Sequence, residues 1–481
     1  MSTPYPNGFP VIFDLGSRPC LLVGAGRIAY RKAEQLLKAG AELTVVAPQV
    51  LPEFESLPVR IVRREFQATD LDGVWLVVTA TGNTEVDQFI FDQSESRRIW
   101  CNSADDPKRC SFILPAVHRR GPITVAISTG GGDAPGLNAV IRAAVLCART
   151  RGWDVLGIKR GYAGLLGEDE IVQLTEDSVR GIASQGGTII KTTNRGSPFA
   201  YPMLQPDGTW KNVDRSDELV ENARNLGIEA IISIGGDGSL KIASQLAAKG
   251  MRVISVPKTI DNDVPGTVTT FGFDTAVNTA MEAIDKLHTT AESHDRVMVL
   301  EVMGRDAGFI ALHAGVAGTA DVILIPEIEW EMQKVCEKIM DRDAAGRRFS
   351  IVVVAEGSKP KGGMESIIGE SLPGQDRRLG GIAERMGDDI QRITGKETRF
   401  MVLGHLQRGG SPTGYDRLLA TRFGAAAVQA VADKRWGHMV ALQSPHLVTI
   451  PIDEVLKETK RVDPAHDVVQ AARMMGISFG D

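Results

Sequence analysis

Three short segments carry the residue types that phosphate chemistry needs, and each follows an apolar run. GGGDAPG (130–136) opens with a glycine triplet, GGDGS (235–239) sets Asp237 among glycines, and PKTIDND (257–263) places Asp261 and Asp263 two residues apart. Glycines let backbone N–H groups approach phosphate oxygens, and a helix starting just after them adds a favourable dipole. An Asp in such a loop can hold Mg²⁺ directly or through water. Of Asp261 and Asp263, one could take a proton from an attacking hydroxyl while the other helps to order a metal shell. Each segment also has an ordinary reading, as a tight turn or a solvated Asx turn. Three in succession, each at the carboxyl end of a predicted strand, favour a phosphate site, because open parallel sheets bind ligands there.

Basic residues follow in glycine-flanked segments. Arg296 ends ESHDR (292–296), Arg305 sits in VMGRDAG (302–308), Arg399 in KETRF (396–400), and His405 and Arg408 in GHLQRGGSP (404–412). A single Arg is most often a solvated surface residue. Four in this pattern suggest an oxyanion receptor, since the guanidinium fork matches phosphate. Glu356, at the end of the run 349–357, could accept hydrogen bonds from sugar hydroxyls. A further signal lies near the N-terminus, where CLLVGAGRIAYRKAEQLLKAG (20–40) holds Gly24-x-Gly26-x-x-Ala29 between an apolar run and an amphipathic one. This is a dinucleotide fingerprint with Ala in its third place. The next strand should end in an acid for a ribose, but Ala47-Pro48-Gln49 stands there, so a Rossmann-like fold without nucleotide is the competing reading.

The elements that position these residues alternate between short apolar runs and longer amphipathic stretches, the pattern of parallel sheets covered by helices. Strands are predicted at 20–23, 42–47, 74–80 and 98–102, then at 123–129, 154–159, 230–236, 252–257, 296–304, 321–327, 349–357 and 400–407. Leu137, Val140, Ile141, Ala144, Val145 and Ala148 predict a helix over 137–151, with Gly152 at its C-terminal cap. The stretch 195–213 reads as a surface excursion. A basic turn, HRRGP (118–122), marks the boundary between domains 1–118 and 119–481. The predicted fold class is α/β, a Rossmann-like domain followed by two similar lobes facing one cleft.

Composition limits the function classes. The chain has 481 residues, net charge −6, 43% hydrophobic and 24% charged residues, so no general polyanion or nucleic-acid binder is expected. The five scattered cysteines (Cys20, Cys101, Cys110, Cys147, Cys336) form no CxxC pair and predict reduced thiols in a cytoplasmic protein. MSTPYPNGFP lacks a basic run before an apolar core, so no secretory leader is expected, and no apolar run is long enough to predict a membrane span.

Taken in order, GGGDAPGLNAVIRA, GGDGS, PKTIDND, ESHDRVMVLEVMGRDAG, VVVAEG and GHLQRGGSP resemble the phosphofructokinase family, from about residue 123 to the end. The closest likeness is to the bacterial branch that combines features of the ATP- and pyrophosphate-using enzymes. The resemblance implies ATP-dependent phosphorylation of fructose 6-phosphate at its 1-hydroxyl, a committed step of glycolysis, by a homodimer or homotetramer. It assigns Gly131, Gly132, Gly236, Asp237, Gly238 and Ser239 to the nucleotide, and Asp237 to Mg²⁺. Asp261 becomes the base for the sugar hydroxyl, with Thr259 and Ile260 beside it and Lys258 and Arg305 as further catalytic groups. Met303, Gly304 and Arg305 take the sugar phosphate, and Glu356, His405, Leu406, Gln407 and Arg408 the sugar. Arg296 and Arg399 reach that site from a neighbouring subunit, Arg195 in TTNRGSPF bridges the donor phosphates, and Tyr162 in RGYAGL lies near the nucleotide.

Within that resemblance two residues bear on the donor. Pyrophosphate-using relatives usually carry Asp where Gly238 stands, and its side chain and charge would compete with the α-phosphate of a nucleotide. Lys258 resembles the pyrophosphate enzymes, yet its cation can still offset charge on the transferred group. Steric admission is an all-or-none requirement, so ATP is the expected donor and pyrophosphate the alternative.

The first region resembles another family. PVIFDL, CLLVGAGRIAYRKAEQLLKAGAELTVVAP, VVTATGN and CNSADDPKRCSFILPAV are similar to the precorrin-2 dehydrogenase/sirohydrochlorin ferrochelatase module over about 8–122. That likeness implies NAD contacts at Gly24, Gly26, Arg27, Ile28, Pro48 and Gln49 and a catalytic Asp105. In that family the strand matching GPITVAIST (121–129) leads into a helical dimerisation segment, whereas here it leads into GGGDAPG. The expectation is a truncated module, an NAD-binding accessory domain with little or no activity. A working precorrin-2 dehydrogenase and a redox-sensing regulatory domain are the alternatives.

Overall fold

A computed structural model describes residues 13–104, 106, 109–112, 123–194, 197–205, 207–367 and 379–481. Asp105 and Arg195, both given roles above, lie outside the described residues. The chain divides into two compact units, Met1–Arg119 and Arg120–Asp481.

The first unit is a parallel sheet of β1 (Pro19–Val23), β2 (Glu42–Val46), β3 (Arg60–Val62), β4 (Leu76–Thr79) and β5 (Trp100–Ser103), in the order β3-β2-β1-β4-β5. Helices α1 (Arg27–Lys38) and α2 (Thr84–Arg97) connect strands across it. The side-chain period of two splits β1 between two cores. Cys20 and Leu22 pack with Ala29, Ala33 and Leu36 of α1, while Leu21 and Val23 pack with Ile90 of α2. Burial on both faces explains the unbroken apolar runs, and the chain order reverses between β1 and β4, where such sheets bind ligands. Strand β3, only Arg-Ile-Val at the sheet edge, had no pattern from which to predict it.

The second unit contains two sheets and a ribbon. Seven strands are ordered β18-β17-β12-β11-β6-β7-β8: β6 (Thr124–Thr129), β7 (Asp154–Ile158), β8 (Ile171–Leu174), β11 (Ala230–Gly235), β12 (Val253–Pro257), β17 (His438–Gln443) and β18 (His446–Pro451). Four more are ordered β14-β15-β13-β16: β13 (Val297–Val302), β14 (Val322–Leu324), β15 (Ser350–Ala355) and β16 (Thr398–Val402). All pairs are parallel except the edge strands β8 and β18 of the larger sheet. The ribbon, β9 (Tyr201–Leu204) with β10 (Trp210–Val213), is the expected excursion, turning at Gly208 with φ +80°.

Helices cover both sheets. Helices α3 (Leu137–Thr150), α4 (Ser216–Asn225), α5 (Asp237–Ala248), α6 (Phe273–His294), α7 (Phe309–Ala317), α8 (Met332–Ala344), α9 (Ile382–Thr394) and α10 (Gly414–Ala432) run in chain order. Val125, Ile127, Ile232 and Ile234 face α3 and α10, while Ala126 and Ile231 face α4 and α5. On the smaller sheet, Leu300 and Val353 face α6 and α7, and Val299 and Val352 face α8 and α9. The predicted helix 137–151 is observed as α3, with Gly152 at φ +73° just past its end. The strand expected over 400–407 stops at Val402, and Gly404–Arg408 forms a 3-10 turn in which Gly404 takes φ +49°. The apolar run misled because Gly404 leaves the extended region. Among the described residues no helix is long and apolar enough to cross a membrane.

Candidate active site

The three glycine and aspartate loops leave the carboxyl ends of β6, β11 and β12, which are adjacent in the larger sheet. Sheet order therefore brings together segments more than 100 residues apart in the chain. Their contacts require glycine. A Cβ on Gly130 or Gly235 would come within 2.6 or 2.2 Å of Ser239 Oγ. Ser239 thus interlocks the first two loops, and its side chain is nearly buried. Gly131 takes φ +76°, and a Cβ on Gly132 would lie 2.6 Å from Arg408 Nη1. Gly236 is extended and caps α5, whose first residues are Asp237, Gly238 and Ser239. A Cβ on Gly238 would meet nothing within 4 Å, so the space beside this position is open.

The third loop carries the carboxylates. Lys258 is buried, and its Nζ donates to the carbonyl of Gly132. Burial, then Arg408, pushes its ammonium down to about 8. The Asp261 backbone N–H donates to Thr259 Oγ1 at 3.1 Å, while the Asp261 side-chain atom Oδ1 is sealed from solvent with no hydrogen-bond partner. Burial, then Asp263, raises the Asp261 carboxyl to about 7. Burial also raises Asp263, against a hydrogen bond with Thr259, and the charges of Asp237 and Asp306 push the same way. An unpartnered carboxylate oxygen beside a titration point near neutrality is what a general base needs. Ile260 is fully buried in the core, so only its backbone can line the site.

The smaller sheet supplies the opposite wall from β15, β13 and β16, again adjacent strands. Met303, Gly304 and Arg305 follow β13, with Gly304 at φ +140°. The Met303 N–H donates to Gln407 Oε1 at 2.8 Å, and Gln407 Nε2 is buried without a partner. Arg408 Nη1 donates to the carbonyl of Asp133 at 3.3 Å, joining the 3-10 turn after β16 to the first glycine loop. Burial, then Asp261 and Glu301, raises the Glu356 carboxyl to about 7, while Arg305 and Arg408 act against that rise. Two walls therefore meet over Asp261, one rich in glycine N–H groups and the other in Arg and hydrogen-bonding side chains. His405 and Leu406 are exposed on the turn.

Asp237 and Asp263 could hold a divalent cation. Among the described residues no three side-chain ligands stand together as a complete metal cage. Mg²⁺ needs only one or two carboxylates, with waters and substrate phosphates completing the shell. The mutual repulsion of Asp237, Asp261, Asp263 and Asp306 is an electrostatic environment that a cation would relieve.

Two expected residues lie elsewhere. Arg296 and Arg399 sit at the amino-terminal ends of β13 and β16 and share Glu397, with Arg296 Nη2 at 2.8 Å. They are separated from Met303–Arg305 by the whole length of β13, so one chain does not gather all four arginines. Tyr162, expected near a nucleotide, turns its hydroxyl toward β11. It is buried in the core with its hydroxyl 3.2 Å from Ser233 Oγ, and burial raises it to about 12. Asp306, which bears on Asp261 and Asp263, lay within VMGRDAG but received no role from the motif.

The first unit has its own cavity, about 820 Å³. Gly24, Gly26, Pro48 and Gln49 line it, with Glu65, Thr81 and Asn83 opposite. Gly24 has φ +101°, and a Cβ there would lie 2.2 Å from the carbonyl oxygen of Ala80. Gly26 caps α1 without a side-chain partner. This places a glycine turn and a helix start at the reversal between β1 and β4, the geometry that suits a pyrophosphate. Arg27 and Ile28 begin α1 and are exposed.

Comparisons with known proteins agree with this division. The family model described as "Phosphofructokinase" matches residues 124–431, and one described as "Putative NAD(P)-binding" matches 11–116. An ATP-dependent 6-phosphofructokinase from Chloroflexus aggregans is 53% identical over 359 residues, covering 74% of this chain and 98% of that protein. A pyrophosphate–fructose 6-phosphate 1-phosphotransferase from Streptomyces coelicolor is 48% identical over 344 residues, covering 71% and 96%. Among solved structures, phosphofructokinase from Saccharomyces cerevisiae is similar with a TM-score of 0.58 and 30% identity, over 70% of this chain and 45% of that one.

Proposed function

We infer the reaction from one premise: this chain belongs to the phosphofructokinase family. It transfers the terminal phosphoryl group of ATP to the 1-hydroxyl of fructose 6-phosphate, giving fructose 1,6-bisphosphate and ADP. The observation that carries this reading is the unpartnered Asp261 Oδ1 among the glycine loops and the wall that bears Arg408.

The mechanism follows from those groups. Asp261 takes the proton of the 1-hydroxyl, and the freed oxygen attacks the terminal phosphorus of ATP while the bond to ADP breaks. Lys258 and Arg305 offset charge on the transferred group, and the loop N–H groups around Gly131, Gly132 and Gly236 hold the donor phosphates. Mg²⁺ bound at Asp237, with Asp263 nearby, would neutralise the phosphates and align them. Met303, Gly304 and Arg305 hold the sugar phosphate, and Glu356, His405, Leu406, Gln407 and Arg408 hold the sugar. Open space beside Gly238 supports the nucleotide as donor. The buried Lys258 favours a second reading, pyrophosphate, and the Streptomyces relative keeps that reading in view.

Arg296 and Arg399 lie roughly 20 Å from Met303–Arg305, at about 3.3 Å per residue of β13. Their service to a sugar-phosphate site therefore requires a second copy of the chain, and a homo-oligomer is part of the proposal. The exposed edge strand β16, with Phe400, Met401 and Val402 each nearly half accessible, supports such a contact. The first unit is an NAD-binding accessory domain in this reading, and a cytoplasmic location fits the five free cysteines. The test is a coupled assay of the full chain with fructose 6-phosphate and each donor. Turnover with pyrophosphate but not ATP would overturn the ATP assignment.

A further inference from the structure

We infer that Lys460 is a positioning residue that holds the Asp261–Asp263 loop in its working geometry. The inference rests on the kinase reading above. The Lys460 backbone N–H donates to the Asp263 carbonyl at 3.0 Å, and its Nζ donates to the carbonyls of Thr267 and Val268 at 3.1 and 2.7 Å. One residue from the far end of the chain thus grips the outer half of the catalytic loop at three points. The inner half is held separately, by Thr270 Oγ1 donating to the Thr259 carbonyl at 2.7 Å and by the Thr270 N–H donating to Asn262 Oδ1 at 3.1 Å.

The same C-terminal segment also reaches the other wall. The Lys460 ammonium lies 5.1 Å from the ring of Phe309, the first residue of α7. Two residues on, the Val462 N–H donates to Glu327 Oε1 at 2.8 Å, and that carboxylate accepts the Gly308 N–H at 3.0 Å. Gly308 ends the VMGRDAG loop that carries Arg305. Alternate residues of one segment therefore brace the loop after β12 and the loop after β13, the two that must close on opposite ends of the reacting hydroxyl and phosphate. A base displaced by even ~1 Å can lose about 100-fold in rate, so bracing at this distance from the chemistry is kinetically visible. Nothing in PKTIDND or VMGRDAG points to Lys460, which stands in the unremarkable run KETKRVDP (457–464).

The test is steady-state kinetics of the full chain carrying Lys460→Met, which keeps an apolar stem on Phe309 but loses the ammonium. We expect kcat to fall roughly 10- to 100-fold with KM for fructose 6-phosphate within about twofold, because the Lys460 ammonium grips only the loop after β12, while the hold on the Arg305 loop runs through the Val462 backbone and Glu327. Lys460→Arg, which retains a cation and its donors, should recover most of the rate. Thermal melting of each variant accompanies the assay, and if Lys460→Met melts below the assay temperature, Lys460→Gln is read by the same criterion. An unchanged kcat, or a KM that rises while kcat holds, overturns the positioning role. Absence of turnover in the unaltered chain would instead overturn the kinase reading on which it stands.

Discussion

Replacing Asp261 with Asn separates the base from everything else at the site. The side chain keeps its shape and the backbone N–H keeps its bond to Thr259 Oγ1, so the loop has no steric reason to move. General-base removal costs about 10²- to 10⁴-fold in kcat, or ~3–5 kcal/mol of transition-state stabilisation. The wild-type rate should rise as pH increases through about 7, where Asp261 ionises in the folded chain, and this limb should vanish in Asp261→Asn. Stability moves the other way. The carboxyl is raised from 3.8 to about 7 on folding, so its proton-linked stability is fully present below about 3.8 and lost as pH rises toward 7. Three units correspond to on the order of 4 kcal/mol shared among the coupled carboxylates, at ~1.4 kcal/mol per unit. Asp261→Asn should therefore melt higher than wild type at pH 8, with the gap narrowing toward pH 5. Stopped-assay kinetics across pH and differential scanning calorimetry measure both. A variant that retains more than about a tenth of wild-type kcat would refute the assignment of Asp261 as the base.

Three further changes probe other parts of the chain. Gly238→Asp should fold normally, since a Cβ there meets nothing within 4 Å, yet lower kcat/KM for ATP by roughly tenfold or more through repulsion of the nucleotide phosphates; a nucleotide titration reads this directly. Arg399→Ala should raise KM for fructose 6-phosphate about tenfold or more with kcat little changed, the signature of lost ground-state binding, and sedimentation of wild type and variant side by side will show whether the change alters the assembly state. Gly24→Ala should destabilise the first unit by ~2 kcal/mol or more, because φ is +101° and its Cβ would press on the Ala80 carbonyl. Calorimetric titration should then find no NAD binding, while kinase turnover stays at the wild-type level.

Much of this protein was legible before its fold was known. Loop chemistry announces itself locally: GGGDAPG, GGDGS and PKTIDND need glycines and carboxylates at fixed spacing, and those residues do stand on one cleft. Strands buried on both faces read as apolar runs, so β6, β11, β12, β13 and β15 were all anticipated. Less visible were the edges, where β3 and β18 carry mixed residues, and the turn after Val402, where a single glycine conformation ends an apolar run. The Ser233 partner of Tyr162 was not legible either, because a motif gives a residue's neighbours in sequence but not the core into which its ring packs.

The sequence by itself determined the α/β class, the two regions, the phosphate loops and the Asp261–Asp263 pair from which a base could come. Those features depend on residue type, period and short spacing, all of which are local. Only the tertiary structure decided what lies across the cleft from what. Sheet order set three distant loops side by side, opposed Arg408 to Asp133, and put Arg296 and Arg399 at the far end of β13 from Arg305. It also decided the charge state of Asp261, because a carboxyl moves toward neutrality only when folding removes its water and brings Asp263 and Asp306 near it. Likewise Lys460 acquires its place beside Asp263 only through folding. Contacts between residues nearly 200 positions apart leave no mark in local sequence, since either partner alone looks like an ordinary surface residue.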